Sequence, residues 1–336
     1  MFTFELKEKH ITKFDYLNRT KIQTFLETQG LDFDENVQYS ITIFFDEEMI
    51  ATGSFDNEVL KCIAIHPDYQ GYGITNKLIS ELMNEQYRRG FEHLFVYTKP
   101  ENNHIFSNLG FYKIFEIPEK VTLFENKRDG LSTYVKELTR YNVQGEKIAA
   151  IVMNCNPFTL GHKFLIEKAT QENDLVHLFV VEEERSQFSS EIRYQLVVDG
   201  VKDLPNVYVH KSSKYLISAA TFPSYFLKKE SEIVTTHAQL DLSIFANLIA
   251  PALGVNYRYV GEETTCLVTA EYNRIMKEIL PIHGVKVIEV PRLMIAGSQI
   301  SASRVRKLLS EENYQEILKI VPETTYHYLI NNRPGH

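Results

Sequence analysis

Cysteine, basic charge and long apolar runs are the scarce features of this sequence, and each shortage removes a class of function. The three cysteines, Cys62, Cys155 and Cys266, stand far apart with no CxxC pair and no Cys/His cluster, so neither a disulfide framework nor a metal site is expected. Dispersed thiols fit a reducing compartment, the cytoplasm. Lys and Arg number 36 against 44 Asp and Glu, a formal net charge of -8, which argues against binding nucleic acid and leaves room for one local basic pocket. The longest apolar stretch, Ile244 to Val255, is interrupted by Asn247 and Pro251 and falls short of the roughly 20 residues a bilayer requires, so no membrane span is expected. Residues Met1 to Lys7 lack a basic start leading into an apolar core, so secretion is not expected either.

What is present reads as globular protein. A chain of 336 residues with 44% hydrophobic and 24% charged content exceeds one typical core, and two domains are expected. Val59 and Cys62 to Ile65 suggest a strand, broken by His66-Pro67-Asp68 before the turn Gln70-Gly71-Tyr72-Gly73. Ile74, Leu78, Leu82 and Met83 then recur at helical spacing, Gly90 stops that helix, His93 to Thr98 reads as a strand, and Asn102 to Leu109 as a short helix. After a charged, glycine-bearing stretch, Lys147 to Met153 is almost wholly apolar. Further candidate strands are Leu175 to Val181, Val207 to His210, Ile233 to Thr236, Tyr257 to Val260 and Lys286 to Val290. Helical patterns separate most of them, which predicts an open, doubly wound parallel sheet with its ligand at the carboxyl ends of the strands. The expected domains are residues 1–140 and 147–336.

Two segments of the second domain carry phosphate chemistry. The strand ending at Met153 runs into Asn154-Cys155-Asn156-Pro157-Phe158-Thr159-Leu160-Gly161-His162 and directly into a helix from Lys163. Gly161 permits close backbone approach, the helix start favours negative charge, and Thr159 and His162 can hydrogen-bond an α-phosphate. A tight turn with a satisfied histidine has the same local pattern. Ser298 to Arg306 precedes the apolar helix positions Val305, Leu308 and Leu309. Ser301 and Ser303 can cap that helix or donate to phosphate, and Arg306 lies one turn beyond Ser303 on the same face.

In this order the two segments resemble the T/HxGH and ISxSxxR signatures of the nucleotidylyltransferase superfamily, over residues 147 to about 330. The resemblance implies a Rossmann-like fold, with Thr159 and His162 on the reacting phosphate, Ser301, Ser303 and Arg306 at the outgoing pyrophosphate, Ile300 among the ATP-binding residues, and magnesium as the counter-ion of ATP. Thr159 stands where many members have histidine. Asn154, Asn156, Pro157, Phe158 and Gly161 belong to the same ATP loop by this resemblance. Glu182 to Arg185 with Phe188 and Arg193 resembles the superfamily's phosphate-facing arginine segment, although a solvated charge run has the same composition. Gly261, Glu262 and Glu263 follow a strand at the end suited to ribose or adenine, or simply cap a surface turn.

In the first domain, Gln70-Gly71-Tyr72-Gly73-Ile74-Thr75 resembles the pyrophosphate loop of GNAT acetyltransferases, and Asn108-Leu109-Gly110-Phe111 resembles their later Gly-Phe element. The fold implied is GNAT-like mixed α/β, over residues 1 to about 140. Where active members often carry an acidic tyrosine, this chain has Phe106, which cannot donate a proton. Tyr97 and Tyr112 are the possible substitutes. A domain that holds a coenzyme A-like group without its own acetyl transfer is the expectation.

The fusion of these two domains resembles the citrate lyase ligase family. That resemblance rests on Met153 to His162, Tyr215 to Phe226, Tyr259 to Glu263 and Ile300 to Arg306. It implies activation of acetate as acetyl adenylate and acetylation of the citrate lyase acyl carrier subunit on its phosphoribosyl-dephospho-coenzyme A thiol, with AMP and pyrophosphate released. Thr221 to Phe226 is the candidate acetate-side wall, and core packing is the plainer account of its aromatic residues. Adenylyl transfer to a phosphorylated cofactor precursor, a working N-acetyltransferase in the first domain, and a pure interaction protein remain the alternatives.

Overall fold

A computed structural model describes residues 6–182, 186–218, 221–222, 232–295 and 297–332. The chain divides into two compact units, Met1–Gly130 and Leu131–His336.

The first unit is built on a seven-stranded sheet in the order β1-β2-β3-β4-β5-β7-β6. Its strands are β1 (Leu6–Thr12), β2 (Tyr39–Phe45), β3 (Glu48–Asp56), β4 (Val59–Ile65), β5 (Phe95–Thr98), β6 (Tyr112–Ile117) and β7 (Val121–Glu125). Every neighbouring pair is antiparallel except β4 and β5, which helix α2 (Ile74–Arg88) joins by a crossover. Ile74, Leu78, Ile79 and Leu82 give α2 its apolar stripe and pack with Phe55, Phe106, Phe111 and Phe124. Each such side chain, fully buried, contributes roughly 1.5–3 kcal/mol. Gly53 of β3 sets how close the helix can come, because a Cβ there would sit 2.7 Å from Leu82 Cδ1. Helix α1 (Tyr16–Thr28) buries Ile22 and Leu26 with Ile11 and Ala64 in a second cluster.

β4 and β5 pair only at Val59↔Phe95 and Leu60↔Val96 and part beyond that point. The chain leaves β4 through Gly71 (φ 83°) and Gly73 (φ 79°), left-handed conformations that suit glycine, and enters α2 with no side chain capping its first turn. Sequence and structure agree closely here, including the short helix α3 (Asn103–Asn108).

The second unit contains a five-stranded, all-parallel sheet in the order β10-β9-β8-β11-β12. β8 (Ile148–Met153) lies at its centre, flanked by β9 (Leu175–Val180) and β11 (Tyr257–Gly261), with β10 (Val207–Lys211) and β12 (Lys286–Val290) outside. The chain winds from β8 out to β10 and then returns to the other side of β8, so the switch point falls between β8 and β11. Six residue pairs join β8 to β9, but only Tyr257↔Ala149 and Arg258↔Ala150 join β11 to β8. The two central strands therefore separate above Ala150 and Arg258, opening a crevice toward their carboxyl ends. Helices α5 (Leu160–Glu172) and α6 (Ser190–Val201) cover one face over Ala149, Ile151, Met153, Val176, Leu178 and Tyr259.

Ile233 to Thr236, expected as a strand, lies instead in the helix Glu232–Ile244. The run of β-branched residues favours a strand only in a short window. Beyond it, buried Val234, Ala238, Asp241 and Phe245 recur at helical spacing, and packing overrides propensity. Helix α4 (Gly130–Leu138) packs within the second unit: Tyr134 donates to the Ser212 carbonyl at 3.1 Å and lies against Tyr215. Among the described residues no helix is long and apolar enough to cross a membrane.

Candidate active site

The site is assembled at the carboxyl end of β8, where Thr159 is the N-cap of α5. Thr159 Oγ1 accepts from the His162 amide at 3.3 Å, and the Thr159 amide donates to His162 Nδ1 at 3.0 Å, a reciprocal capping box. With Nδ1 committed as an acceptor, the neutral ring carries its proton on Nε2. Burial first, and the charge of Arg292 second, hold the imidazole pKa down at about 4. His162 is thus a neutral, fixed hydrogen-bond donor at physiological pH, suited to charge stabilisation rather than to taking a proton. Phe158 lies parallel to its ring at 5.9 Å.

The second segment reaches this loop across 150 positions. Ser301 caps the helix Ala302–Ser310 by accepting from the Arg304 amide at 3.2 Å. Arg306 donates from Nη2 to Ser303 Oγ at 3.1 Å and from Nη1 to the carbonyl of Asn156. Ile300 completes the junction, since a Cβ on Gly161 would stand 3.5 Å from its carbonyl oxygen. Two helix N-termini, one neutral imidazole donor and one guanidinium are therefore gathered at one end of the sheet, an arrangement that can hold a polyphosphate.

Several expected contacts have other work. Arg193 is fully buried: Nη1 donates to the carbonyls of Asn154 (2.8 Å) and Val181 (2.6 Å) and to Asn154 Oδ1 (2.6 Å), and Nε donates to the Phe188 carbonyl (3.1 Å). It braces the backbone beneath the site and does not face it, a correction to its expected phosphate contact. Phe158 is likewise wholly buried, so it supports the loop instead of touching a ligand. It lies over Gly200, where a Cβ would come within 2.4 Å of its ring. Thr159, 1% exposed, acts through His162. Asn156 spends Oδ1 on the Phe188 amide at 3.2 Å. Pro157 is also buried, and Asn154 is occupied by Arg193.

Gly261, Glu262 and Glu263 are at the end of β11 as expected, but Glu263 holds an arginine. Arg292, just past β12, donates from Nε to the Glu262 carbonyl at 2.8 Å and forms an ion pair with Glu263 through Nη2. Burial raises the Glu263 pKa, and hydrogen bonds from Thr265 and Cys266 with the charge of Arg292 outweigh it, so the net shift is downward. Arg292 is the residue the motifs missed. Its signal was positional, an arginine at the carboxyl end of a parallel strand. Glu183 to Arg185 and residues 223–226 of the expected acetate wall lie outside the described residues, whereas Thr221 and Phe222 are buried. Among the described residues no group of three or more His, Cys, Asp or Glu side chains could hold a metal ion.

In the first unit, Gln70 to Thr75 forms the turn and uncapped start of α2, with Tyr72 67% exposed. Phe106 is buried against Phe111 and Phe124.

The all-parallel sheet with its switch point between β8 and β11 is a Rossmann-like domain, and the mixed sheet with a parted β4 and β5 has a GNAT-like fold. A family model for the citrate lyase ligase C-terminal domain matches residues 148–329. The [citrate [pro-3S]-lyase] ligase of Klebsiella pneumoniae is 40% identical over 332 residues, covering 98% of this chain and 97% of that one. The Escherichia coli K12 protein of the same name is 41% identical, covering 93% and 90%. This chain belongs to the citrate lyase ligase family and is an enzyme of the ligase class. Among solved structures, Escherichia coli ElaA matches 36% of this chain and 99% of its own at 12% identity and a TM-score of 0.32. An acyl-CoA N-acyltransferase from Pseudomonas aeruginosa matches 37% and 100% at 12% and 0.32.

Proposed function

We propose that the second unit binds ATP with magnesium between His162 and Arg306 and uses it to activate acetate. A carboxylate oxygen of acetate attacks the α-phosphorus, the bond to the bridging oxygen breaks, and pyrophosphate leaves acetyl adenylate behind. His162 donates from Nε2 to the α-phosphate as charge builds, while Arg306, Ser303 and the helix start at Ser301 hold the departing pyrophosphate. Little covalent protein chemistry is needed, so positioning and fixed dipoles supply the rate. The sulfur of a carrier thiol then attacks the acetyl carbon, the acyl C–O bond breaks, AMP departs and the thiol proton is released.

The carrier is the acyl carrier subunit of citrate lyase with its phosphoribosyl-dephospho-coenzyme A group. We assign that group to the first unit, through the amides at Gly71 to Thr75 that begin α2 without a cap. Buried Phe106 offers no proton for an acetyl transfer of that unit's own. Cys62, Cys155 and Cys266 are free, which suits the cytoplasm.

The observation that carries this reading is the junction in which Arg306 joins Ser303 to the Asn156 carbonyl beside the Thr159–His162 cap. Incubation with ATP, magnesium, labelled pyrophosphate and a panel of small carboxylates tests it. Exchange of label into ATP with acetate supports the reading. Release of pyrophosphate with a phosphorylated cofactor precursor, and none with acetate, would replace it.

A further inference from the structure

Beyond β10 the chain passes through two non-glycine residues in the left-handed region, Ser213 (φ 59°) and Ile217 (φ 47°). A β-branched residue at positive φ is strained, and such strain persists only where the surroundings over-determine it. Here each of the two residues has its amide taken by a carboxylate from another part of the unit. Ser213 donates to Glu182 Oε2 at 2.7 Å, and the Glu182 amide donates back to Ser212 Oγ at 3.1 Å. Ile217 donates to Asp241 Oδ1 at 2.6 Å.

Asp241 lies on the helix Glu232–Ile244 and is wholly buried. Its Oδ1 also accepts from Thr221 Oγ1 at 2.7 Å, and its Oδ2 accepts from Tyr272 at 2.7 Å. Burial pushes its pKa up, and these three donors with the charge of Arg258 oppose that rise. Ser218 and Thr221 close the turn between them, each amide donating to the other's hydroxyl, at 3.2 and 3.0 Å.

The course of the segment follows from its partners. At its start the Ser212 amide donates to the carbonyl of Val180, the last residue of β9, at 2.9 Å. At its end Phe222 stacks at 5.0 Å on Tyr272, in the helix Leu267–Ile282 that follows β11. With the strands ordered β10-β9-β8-β11-β12, the segment runs across the sheet past the place where β8 and β11 part. Core packing accounts for the apolar side chains of Tyr215, Leu216 and Ile217. It does not account for two left-handed backbones pinned by two carboxylates, since a glycine at position 213 would take the same path without strain.

Resting on the carboxylate-activating reading above, we propose that Ser212 to Ser218, with Thr221 and Phe222, form a pre-strained strap that determines how large an acid the switch-point crevice accepts. Asp241 is its positioning residue: it acts through the strap and touches no substrate. Glu182 and Asp241 hold the two strained residues, and the fixed course of the strap keeps the crevice from widening for longer acids.

The test uses the full chain and two readouts. Amide hydrogen exchange at residues 212–218 reports the strap itself. The ratio of kcat/KM for acetate over butyrate, in carboxylate-dependent pyrophosphate exchange, reports its use. Asp241→Asn turns one acceptor into a donor, and should speed hydrogen exchange at Ile217 and lower the acetate-over-butyrate ratio, each at least about tenfold, with KM for ATP changed less than about twofold. A merely structural role would slow both acids alike and leave the ratio where it was. Ser213→Gly keeps the path but frees its first strained residue, and should lower the ratio at least about threefold, which keeps the proposal open to refutation if Asp241→Asn fails to fold. Unchanged protection in folded Asp241→Asn, or an unchanged ratio in folded Ser213→Gly, overturns the proposal. A native chain that exchanges no pyrophosphate with any acid, yet loses its protection at 212–218 on Asp241→Asn, overturns the functional reading and leaves the strap standing.

Discussion

Arg193 and Arg306 show how differently two arginines of one nucleotide domain can be used. Arg193 serves backbone carbonyls from three segments, while Arg306 spans two motifs at the rim and stays partly exposed. Arg193→Met should therefore cost about 3 kcal/mol or more of stability, because several buried carbonyls lose their donor together. Arg306→Ala should change stability by under about 1 kcal/mol and slow exchange roughly 10²-fold, the scale of one lost transition-state donor. Urea unfolding and exchange rates on the two variants check the split, and a reversed pattern would place Arg193 on the phosphate after all. At this scale the sequence was informative where geometry is local. Thr159 and His162, or Ser301 and Ser303, sit within one helical turn, so their spacing carries their geometry. Arg292, Arg258 and Asp241 were illegible because each gains its meaning from residues tens of positions away.

Among the elements, the sheet positions everything else. β8 and β9 could be read from their apolar runs, since strands buried on both faces have no other composition available, and β10, β11 and β12 showed as shorter apolar stretches. The helix Glu232–Ile244 could not, because Ile, Val and Thr at its start imitate a strand. The second unit also holds histidines, one on α5 and two in the sheet, whose titration couples to folding. His162, His177 and His210 have their pKa values pulled below the ordinary 6.5, to about 4, about 3 and about 4, burial being the first cause in each. Between 6.5 and those values the unfolded chain binds protons that the native state refuses. Their contribution is fully present above pH 6.5 and is lost as pH falls, by about 1.4 kcal/mol per pH unit for each histidine. Urea unfolding followed from neutral pH to about pH 5 should show that decline, and a flat profile would contradict the burial of these rings.

For the whole molecule, we propose that one unit activates acetate and the other grips the carrier's prosthetic group. A Gly71→Val, Gly73→Val variant replaces two left-handed glycines with a residue that resists that conformation, and only the turn before α2 is changed. Carrier acetylation should collapse in it while acetate-dependent pyrophosphate exchange survives, and loss of both in a folded variant would refute the division. More narrowly, we propose that His162, kept neutral by burial and by the charge of Arg292, stabilises charge on the α-phosphate as acetate attacks. Exchange of labelled pyrophosphate into ATP, dependent on acetate and compared between the native chain and His162→Ala, tests it most directly. Exchange is expected in the native chain and a loss of about 10²–10³-fold in a variant that remains folded; undiminished exchange in His162→Ala would rule out this role for the imidazole.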